Sequence, residues 1–356
     1  MASRLRSVLV TESDEERSAF TLRFDAGRGG PGSALDDPML DAPVGVGSRV
    51  VVVVTFGVLP QVLMDGIVTR QTLVTGDAPG TATLEVTGDD LSVLLDREER
   101  DAEWPALPDQ VRALAILAPY AVHGIVPFAV PTPDSDPPLP IQRVPGQHDT
   151  DLRHLVELAA YHGYVAYMLP GPTVGLSTFY WGPPVRAGMP QPALSVDLGP
   201  TANVERAPRF RADGLAPVEV EGTVQDPSTG ASVPIRSTAS LRPALAALPL
   251  ARKQPDLVRK DRLRLSGLGT TTAKARAQAQ VDRSMDVVVG EGVLDGARYG
   301  GVLRPRGLVG VRGAGLTHDG LWYVQKVVHE LARGSYRQSF TITREGFGST
   351  VAVVRT

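Results

Sequence analysis

Over the first hundred residues, apolar side chains recur at every second position, the spacing of strands with one face in a core. Ser7 to Val10 opens the series, and in Ser18 to Phe24 the side chains of Phe20, Leu22 and Phe24 share a face. The run from Val50 to Leu59 begins with five consecutive valines and predicts a buried strand. Pro60 and Asp65 end it well short of the ~18 to 20 apolar residues of a membrane-spanning helix, so no membrane segment is expected. A hairpin-like pair follows over Val62 to Val74 and Thr81 to Thr87. Gly88-Asp89-Asp90 then offers a capping aspartate ahead of Leu91, Leu94 and Leu95, predicting a helix over Leu91 to Arg100. A long Gly/Asp/Pro loop, Asp25 to Gly47, separates the second strand from the valines.

The period then changes. Pro105 and Pro108 lead into a predicted helix over Asp109 to Tyr120, and the proline-rich stretch Pro127 to Pro145 is expected to lack regular structure. A second helix is predicted over Asp149 to Tyr161, capped by Asp149-Thr150-Asp151, with Leu152, Leu155, Val156 and Ala159 on one face and Gly163 as its stop. Strands resume at Tyr164 to Leu169 and Leu176 to Trp181, so residues 101–190 read as a small α/β insertion domain. Further strands are predicted at Ala193 to Leu198 and Val218 to Val224. Beyond them lie turns, a basic segment from Arg252 to Arg264, an alanine-rich helix over Thr271 to Ser284, and strands over Asp286 to Leu294, Leu308 to Arg312, Leu321 to Leu331 and Tyr336 to Arg344. The hairpin at Leu63 to Thr87 is echoed by Leu321 to Thr343, either through duplication or because period-two strands resemble one another by default.

Composition narrows the function classes. The chain of 356 residues has no cysteine, which excludes disulfides, thiolate metal sites and a thiol nucleophile. With 37 glycines and 30 prolines it is too rich in turn formers for a helical bundle, while 42% hydrophobic residues suffice for packed cores. Lys and Arg number 36 against 39 Asp and Glu, a formal charge of -3, so nucleic-acid binding is not expected. The start, MASRLRSVLV, lacks the apolar core of a signal peptide, and the chain is expected to be cytoplasmic on synthesis.

Candidate chemistry is sparse. The one histidine cluster is His148, Asp149, Asp151, His154 and His162; Asp151 and His154 share a helical face, but no HExxH occurs, and helix capping with surface histidines accounts for all five. Gly267-Leu268-Gly269-Thr270-Thr271 precedes a helix without the Lys-Ser/Thr of a P-loop, and Gly313-Ala314-Gly315 is flanked by turn and strand. The basic segment has no aromatics for base stacking. Trp104, Trp181 and Trp322 stand at element boundaries as core or interface anchors. No catalytic residue, metal ligand or cofactor site is assigned, and the chain is not expected to be an enzyme.

Several ordered segments resemble one family. They are Asp36-Asp37-Pro38-Met39-Leu40 with Val46-Gly47-Ser48-Arg49-Val50, Asp65-Gly66-Ile67-Val68, and Glu85-Val86-Thr87-Gly88-Asp89-Asp90-Leu91-Ser92. Next come Thr150-Asp151-Leu152-Arg153-His154-Leu155-Val156-Glu157-Leu158-Ala159 with Gly163-Tyr164, then Trp322-Tyr323-Val324-Gln325-Lys326-Val327-Val328-His329 and Tyr336-Arg337-Gln338-Ser339-Phe340-Thr341-Ile342-Thr343-Arg344. Together they resemble the late-control-D, or baseplate hub, proteins of contractile phage tails and phage-tail-like injection systems, over most of the chain. The resemblance implies an α+β, mainly β chain with two tube-like β-barrel domains and a small α/β insertion between them. The corresponding boundaries are 1–100, 101–190 and 191–356, the last interrupted by a loop-rich basic insertion at about 225–268.

The resemblance also implies a homotrimer whose six barrels form a pseudo-six-fold ring between the tail tube protein and a spike protein, among other baseplate components. The spike is expected to be a separate chain, because about a dozen residues follow Thr343. The Asp25 to Gly47 loop is expected to touch a neighbouring subunit or ring. The alternative functions are a cell-wall-degrading baseplate hydrolase using the His148 to His162 region and a carbohydrate-binding β protein.

Overall fold

The computed structural model describes residues 4–26, 44–75, 81–132, 141, 144–226, 230–264 and 268–351. The chain is mainly β, with 46% strand and 20% helix. Most of the loop expected to contact a neighbour, residues 27–43, lies outside the described residues, as does Gly267.

Five strands open the chain: β1 (Leu5–Ser13), β2 (Ala19–Asp25), β3 (Arg49–Phe56), β4 (Leu59–Val74) and β5 (Thr83–Asp90). All their pairings are antiparallel, in the spatial order β1-β2-β5-β4-β3. β5 alternates strictly between half-buried and buried positions, and its Leu84 and Val86 join Val10, Phe20 and Leu63 in one core. Phe20 packs over Gly88, where an added Cβ would lie 2.3 Å from the Ile67 carbonyl oxygen and 2.4 Å from the Phe20 ring. Only glycine fits between that ring and the neighbouring strand. The valine run departs from expectation. It is the terminal strand of the sheet, with Val54 buried but Val53 41% exposed. β-branched residues favour extended backbone on an edge as well as in a core, so the run indicated a strand without fixing its depth.

Asp90 caps a 3-10 helix, Leu91–Asp96, by accepting from the Ser92 N–H, so the predicted helix ends before Arg100. The middle of the chain then provides β6 (Ala102–Glu103), α1 (Asp109–Leu117), a 3-10 turn (Ala118–His123), β7 (Ile125–Ala129), β8 (Gly146–Gln147), α2 (Asp151–Tyr161), β9 (Val165–Pro170) and β10 (Ser177–Gly182). β7, β10 and β9 form a small sheet in that order. Its core holds Ile116, Leu117, Leu155, Phe179 and Trp181 together with Leu91 and Leu95, so the 3-10 helix packs with the middle segment. The stretch expected to be irregular from Pro127 onward begins inside β7, an edge strand, where a missing N–H is tolerated.

The remainder comprises β11 (Gln191–Ser195), β12 (Arg209–Ala212), β13 (Val218–Gln225), β14 (Ser232–Ser237), β15 (Ala246–Pro249), α3 (Leu250–Lys253), β16 (Arg259–Arg262), α4 (Thr270–Ser284), β17 (Val288–Asp295), α5 (Gly296–Tyr299), β18 (Leu308–Arg312), β19 (Gly320–Ala332), β20 (Ser335–Arg344) and β21 (Gly346–Ser349). The segment expected as a loop-rich basic insertion therefore contains β14, β15 and β16. β14, β13 and β16 form a separate sheet on which α4 lies, burying Val220, Ile235, Ala273, Ala277 and Val281. Alanines on the buried side of α4 let the helix approach the sheet closely.

The principal sheet repeats itself. β12-β17-β20-β19-β18 matches β1-β2-β5-β4-β3 in order along the chain, order in space and antiparallel sense. The hairpins β4–β5 and β19–β20, whose likeness is visible in sequence, occupy equivalent places. Each carries a one-residue bulge on its first strand, at Thr69 between Val68 and Arg70 and at Gln325 between Val324 and Lys326. Each bulge follows the same contact with a left-handed residue: Gly47 (φ 87°) donates to Val68 O at 2.9 Å, and Arg306 (φ 66°) donates to Val324 O at 2.7 Å. β1 pairs with β19 and joins the halves into one eleven-stranded sheet. The described strands close no barrel: the main path runs from β12 at one end to β3 at the other.

Candidate assembly surface

The joint between the halves shows how one sheet unit receives another. Seven residue pairs connect β1 to the second part of β19, from Ser7 opposite Ala332 to Ser13 opposite Lys326. β18 occupies the same side of β19 only as far as Tyr323, and β1 fills the rest. The joint is locked by buried charge. Glu12, 2% exposed, lies 3.1 Å from His329 Nε2 and 3.4 Å from Arg304 Nη1. Burial acts to raise the Glu12 carboxyl, but the His329 hydrogen bond and the Arg304 charge outweigh it and hold the group below the usual range. The other ring nitrogen of His329, Nδ1, lies 2.9 Å from the Tyr336 hydroxyl, so the imidazole bridges Glu12 and Tyr336. Arg304 also donates to Val62 O at 2.5 Å.

Arg306 ties all three segments together. Its buried guanidinium donates to Ser13 O, to Ser18 Oγ at 3.2 Å and to Met168 O at 3.1 Å, and it lies 4.0 Å over the Tyr167 ring. The left-handed backbone at Arg306 aims this side chain inward, a costly conformation held in place by the contacts it makes.

Two comparable edges have no strand partner among the described residues. β3 leaves β4 at Ile67, and the Ser48 and Gly47 contacts end at Val68. Thr69, Arg70, Thr72 and Val74 are exposed beyond that point. β12 pairs only with β17, and Arg209, Arg211 and Ala212 are exposed. Open edges of this kind accept further strands.

The histidine cluster proposed from sequence does not converge. His148 is exposed and pairs with Asp101 at 2.8 Å. His162 is buried against Asp109 at 2.7 Å; the Asp109 carboxyl, raised by burial, is brought below its usual value by that hydrogen bond and by Arg112. His154 is half-buried, and burial with the nearby Arg112 pushes its imidazole down. Asp151 accepts from Tyr120 at 2.7 Å and Gln147 at 2.6 Å and pairs with Arg100. Asp149 lies near Arg153, and Thr150 caps α2. Among the described residues no group of three or more His, Asp or Glu side chains could hold a metal.

The other singled-out residues are structural. Gly269 precedes α4 without capping it through a side chain, and Gly313 and Gly315 shape the β18–β19 turn. Trp181 and Trp322 are fully buried, donating to Leu155 O and His318 O, while Trp104 packs on the middle core. The basic segment contributes β16, which pairs with β13. Among the described residues no helix is long and apolar enough to cross a membrane. Sequence reasoning missed Glu12, Arg304 and Arg306, whose roles depend on contacts nearly three hundred positions apart along the chain.

This fold, with its repeated antiparallel sheet unit joined edge to edge, is similar to the folds of solved phage tail proteins. No family model and no curated protein matches the sequence. Among solved structures, the tail protein from Neisseria meningitidis MC58 matches with a TM-score of 0.64 at 15% identity, covering 99% of this chain and 95% of that one. The prophage MuSo2 43 kDa tail protein from Shewanella oneidensis matches with a TM-score of 0.65 at 16% identity, covering 96% and 94%. An Escherichia coli protein described as a component of the type VI secretion system, structurally similar to T4 bacteriophage tail proteins, matches with a TM-score of 0.57 at 13% identity, covering 98% and 76%.

Proposed function

We propose that this chain is the structural hub of a contractile, phage-tail-like injection machine. In this reading it forms a homotrimeric ring with pseudo-six-fold character that joins the tail tube protein to a spike protein within the baseplate. The observation that carries it is the internal repeat: two equivalent sheet units, connected edge to edge, leave a compatible open edge at each end. Three such chains supply six units, and the barrel-like enclosure then belongs to the ring instead of to a single chain. The likeness to tail proteins and to a type VI secretion component supports this role through the fold.

The buried triad of Glu12, His329 and Arg304 serves the joint in this reading, with no catalytic part. Native mass spectrometry of the purified chain is expected to show a three-chain species, and imaging of that species is expected to show an open ring. A chain that stays monomeric and binds neither tube nor spike protein refutes the proposal. Peptidoglycan hydrolysis lost in His154→Ala would instead establish the hydrolase reading.

A further inference from the structure

The repeat assigns a partner and a register to the two open edges. Superposing the halves by strand pairing sets β1 equivalent to β12, with Val10 at the place of Phe210 and Ser13 at that of Asp213, since Val10 faces Phe20 and Phe210 faces Gly290 at corresponding positions. The bulges likewise set β4 equivalent to β19, with Arg70 at the place of Lys326 and Leu73 at that of His329. Inside the chain, β1 fills the part of β19 that β18 leaves uncovered. The corresponding part of β4, Thr69 to Val74, has no strand partner among the described residues, and the strand corresponding to β1 is β12, whose outer edge is also unpaired.

We infer that β12 of one copy adds antiparallel to β4 of the next, repeating the β1–β19 joint between chains. The inference rests on the hub reading and specifies the contact through which the ring closes. Carrying over the internal register places Asp213 opposite Arg70, Ala212 opposite Gln71, Arg211 opposite Thr72, Phe210 opposite Leu73 and Arg209 opposite Val74. The backbone polarity agrees. Asp14 N–H donates to Gln325 O across the internal joint, so the outward donors of β1 are its even-numbered residues. Asp213 N–H turns inward to Val287 O, which leaves Ala212 and Phe210 directed outward, as the register requires.

Chemistry at the new joint differs from that at the old one. Leu73 and Ala212 stand where His329 and Glu12 stand internally, so no buried ion pair has to be desolvated each time a ring forms. The one opposed charge pair is Asp213 with Arg70, at the pair corresponding to Ser13 and Lys326. That position is a non-hydrogen-bonded pair, in which side chains come closest, with Cα atoms about 4.5 Å apart. The contact is heterologous, since β12 meets β4 and not another β12, and therefore propagates head to tail until the ring closes.

The absence of native cysteine gives a clean test. In Arg70→Cys/Asp213→Cys the engineered thiols are the only ones in the full chain, and their expected separation falls within the about 4.4 to 6.8 Å Cα range of disulfides. Mild oxidation of the assembled protein is expected to give interchain-crosslinked ladders ending at the three-chain species. The yield should be about ten-fold above that of Gln71→Cys/Asp213→Cys, whose side chains fall on opposite faces. Charge reversal supplies a second readout. Arg70→Asp and Asp213→Arg should each weaken self-association about ten-fold, and the double reversal should restore it. A stable trimer that crosslinks no better than the offset control, and that is indifferent to both reversals, overturns this joint while leaving the hub reading intact. A chain that remains monomeric overturns this joint, and one that also binds neither tube nor spike protein overturns the hub reading as well.

Discussion

Replacing Asp14 by Asn should reveal a pH dependence built into the end of the internal joint. Asp14 follows β1, and its N–H donates to Gln325 O at 3.1 Å. Burial pushes its carboxyl up to about 7, with the charge of Glu15 adding to the effect; the Tyr323 hydroxyl and the Arg306 guanidinium act the other way without overcoming it. The folded value lies above the ordinary 3.8, so the folded chain retains a proton that the unfolded chain releases. Stability from this group is therefore complete below pH 3.8 and is lost as pH rises through 7. At 1.36 kcal/mol per unit the penalty at pH 8 is up to about 4 kcal/mol, and partial solvent contact reduces it to about 2 to 3.

Asp14→Asn removes the ionisation while keeping the shape. Chemical denaturation from pH 4 to 8 should show the variant about 2 to 3 kcal/mol more stable than wild type at pH 8, with the difference vanishing near pH 4. In a thermal scan this corresponds to a rise of roughly 3 to 4 °C at the alkaline end for a chain of 356 residues. A variant difference that is constant with pH, or destabilising at pH 8, refutes the argument.

Three further substitutions probe the fold. Arg306→Ala strips three acceptors of their donor and should cost roughly 3 kcal/mol in denaturant unfolding, whereas Arg306→Gly relieves the left-handed strain and should cost about 1 kcal/mol less. Gly88→Ala drives a methyl group into the Ile67 carbonyl and the Phe20 ring, so loss of at least about 3 kcal/mol or failure to accumulate as folded protein is expected by circular dichroism. Thr150→Ala removes the cap of α2 and the 2.7 Å hydrogen bond to Asp96, with an expected loss of about 1 to 2 kcal/mol in the same unfolding assay.

Much of the element order is legible from spacing and end signals alone. Period-two alternation places β1, β2, β5 and β20, while the Thr150 cap and Gly163 stop bracket α2, because each of these signals is satisfied within a few residues. The likeness between β4–β5 and β19–β20 is visible for the same reason: each hairpin is a local unit. The exposed position of β3 is not legible, since β-branching reports backbone preference and the neighbours that bury a face lie elsewhere in the chain. β14 and β16 escape notice because short, charged strands acquire their order from pairing with β13 and from the cover of α4.

Local pattern was enough to place the long strands and the helices α1, α2 and α4, since those choices follow from sterics and hydrogen bonding within a few residues. The shared five-strand order of the two halves, the docking of β1 on β19 and the meeting of Glu12, His329 and Arg304 there emerge in the folded chain alone. Strand pairing and charge burial bring together residues separated by most of the chain, and the free energy of such contacts depends on proximity that no local pattern records.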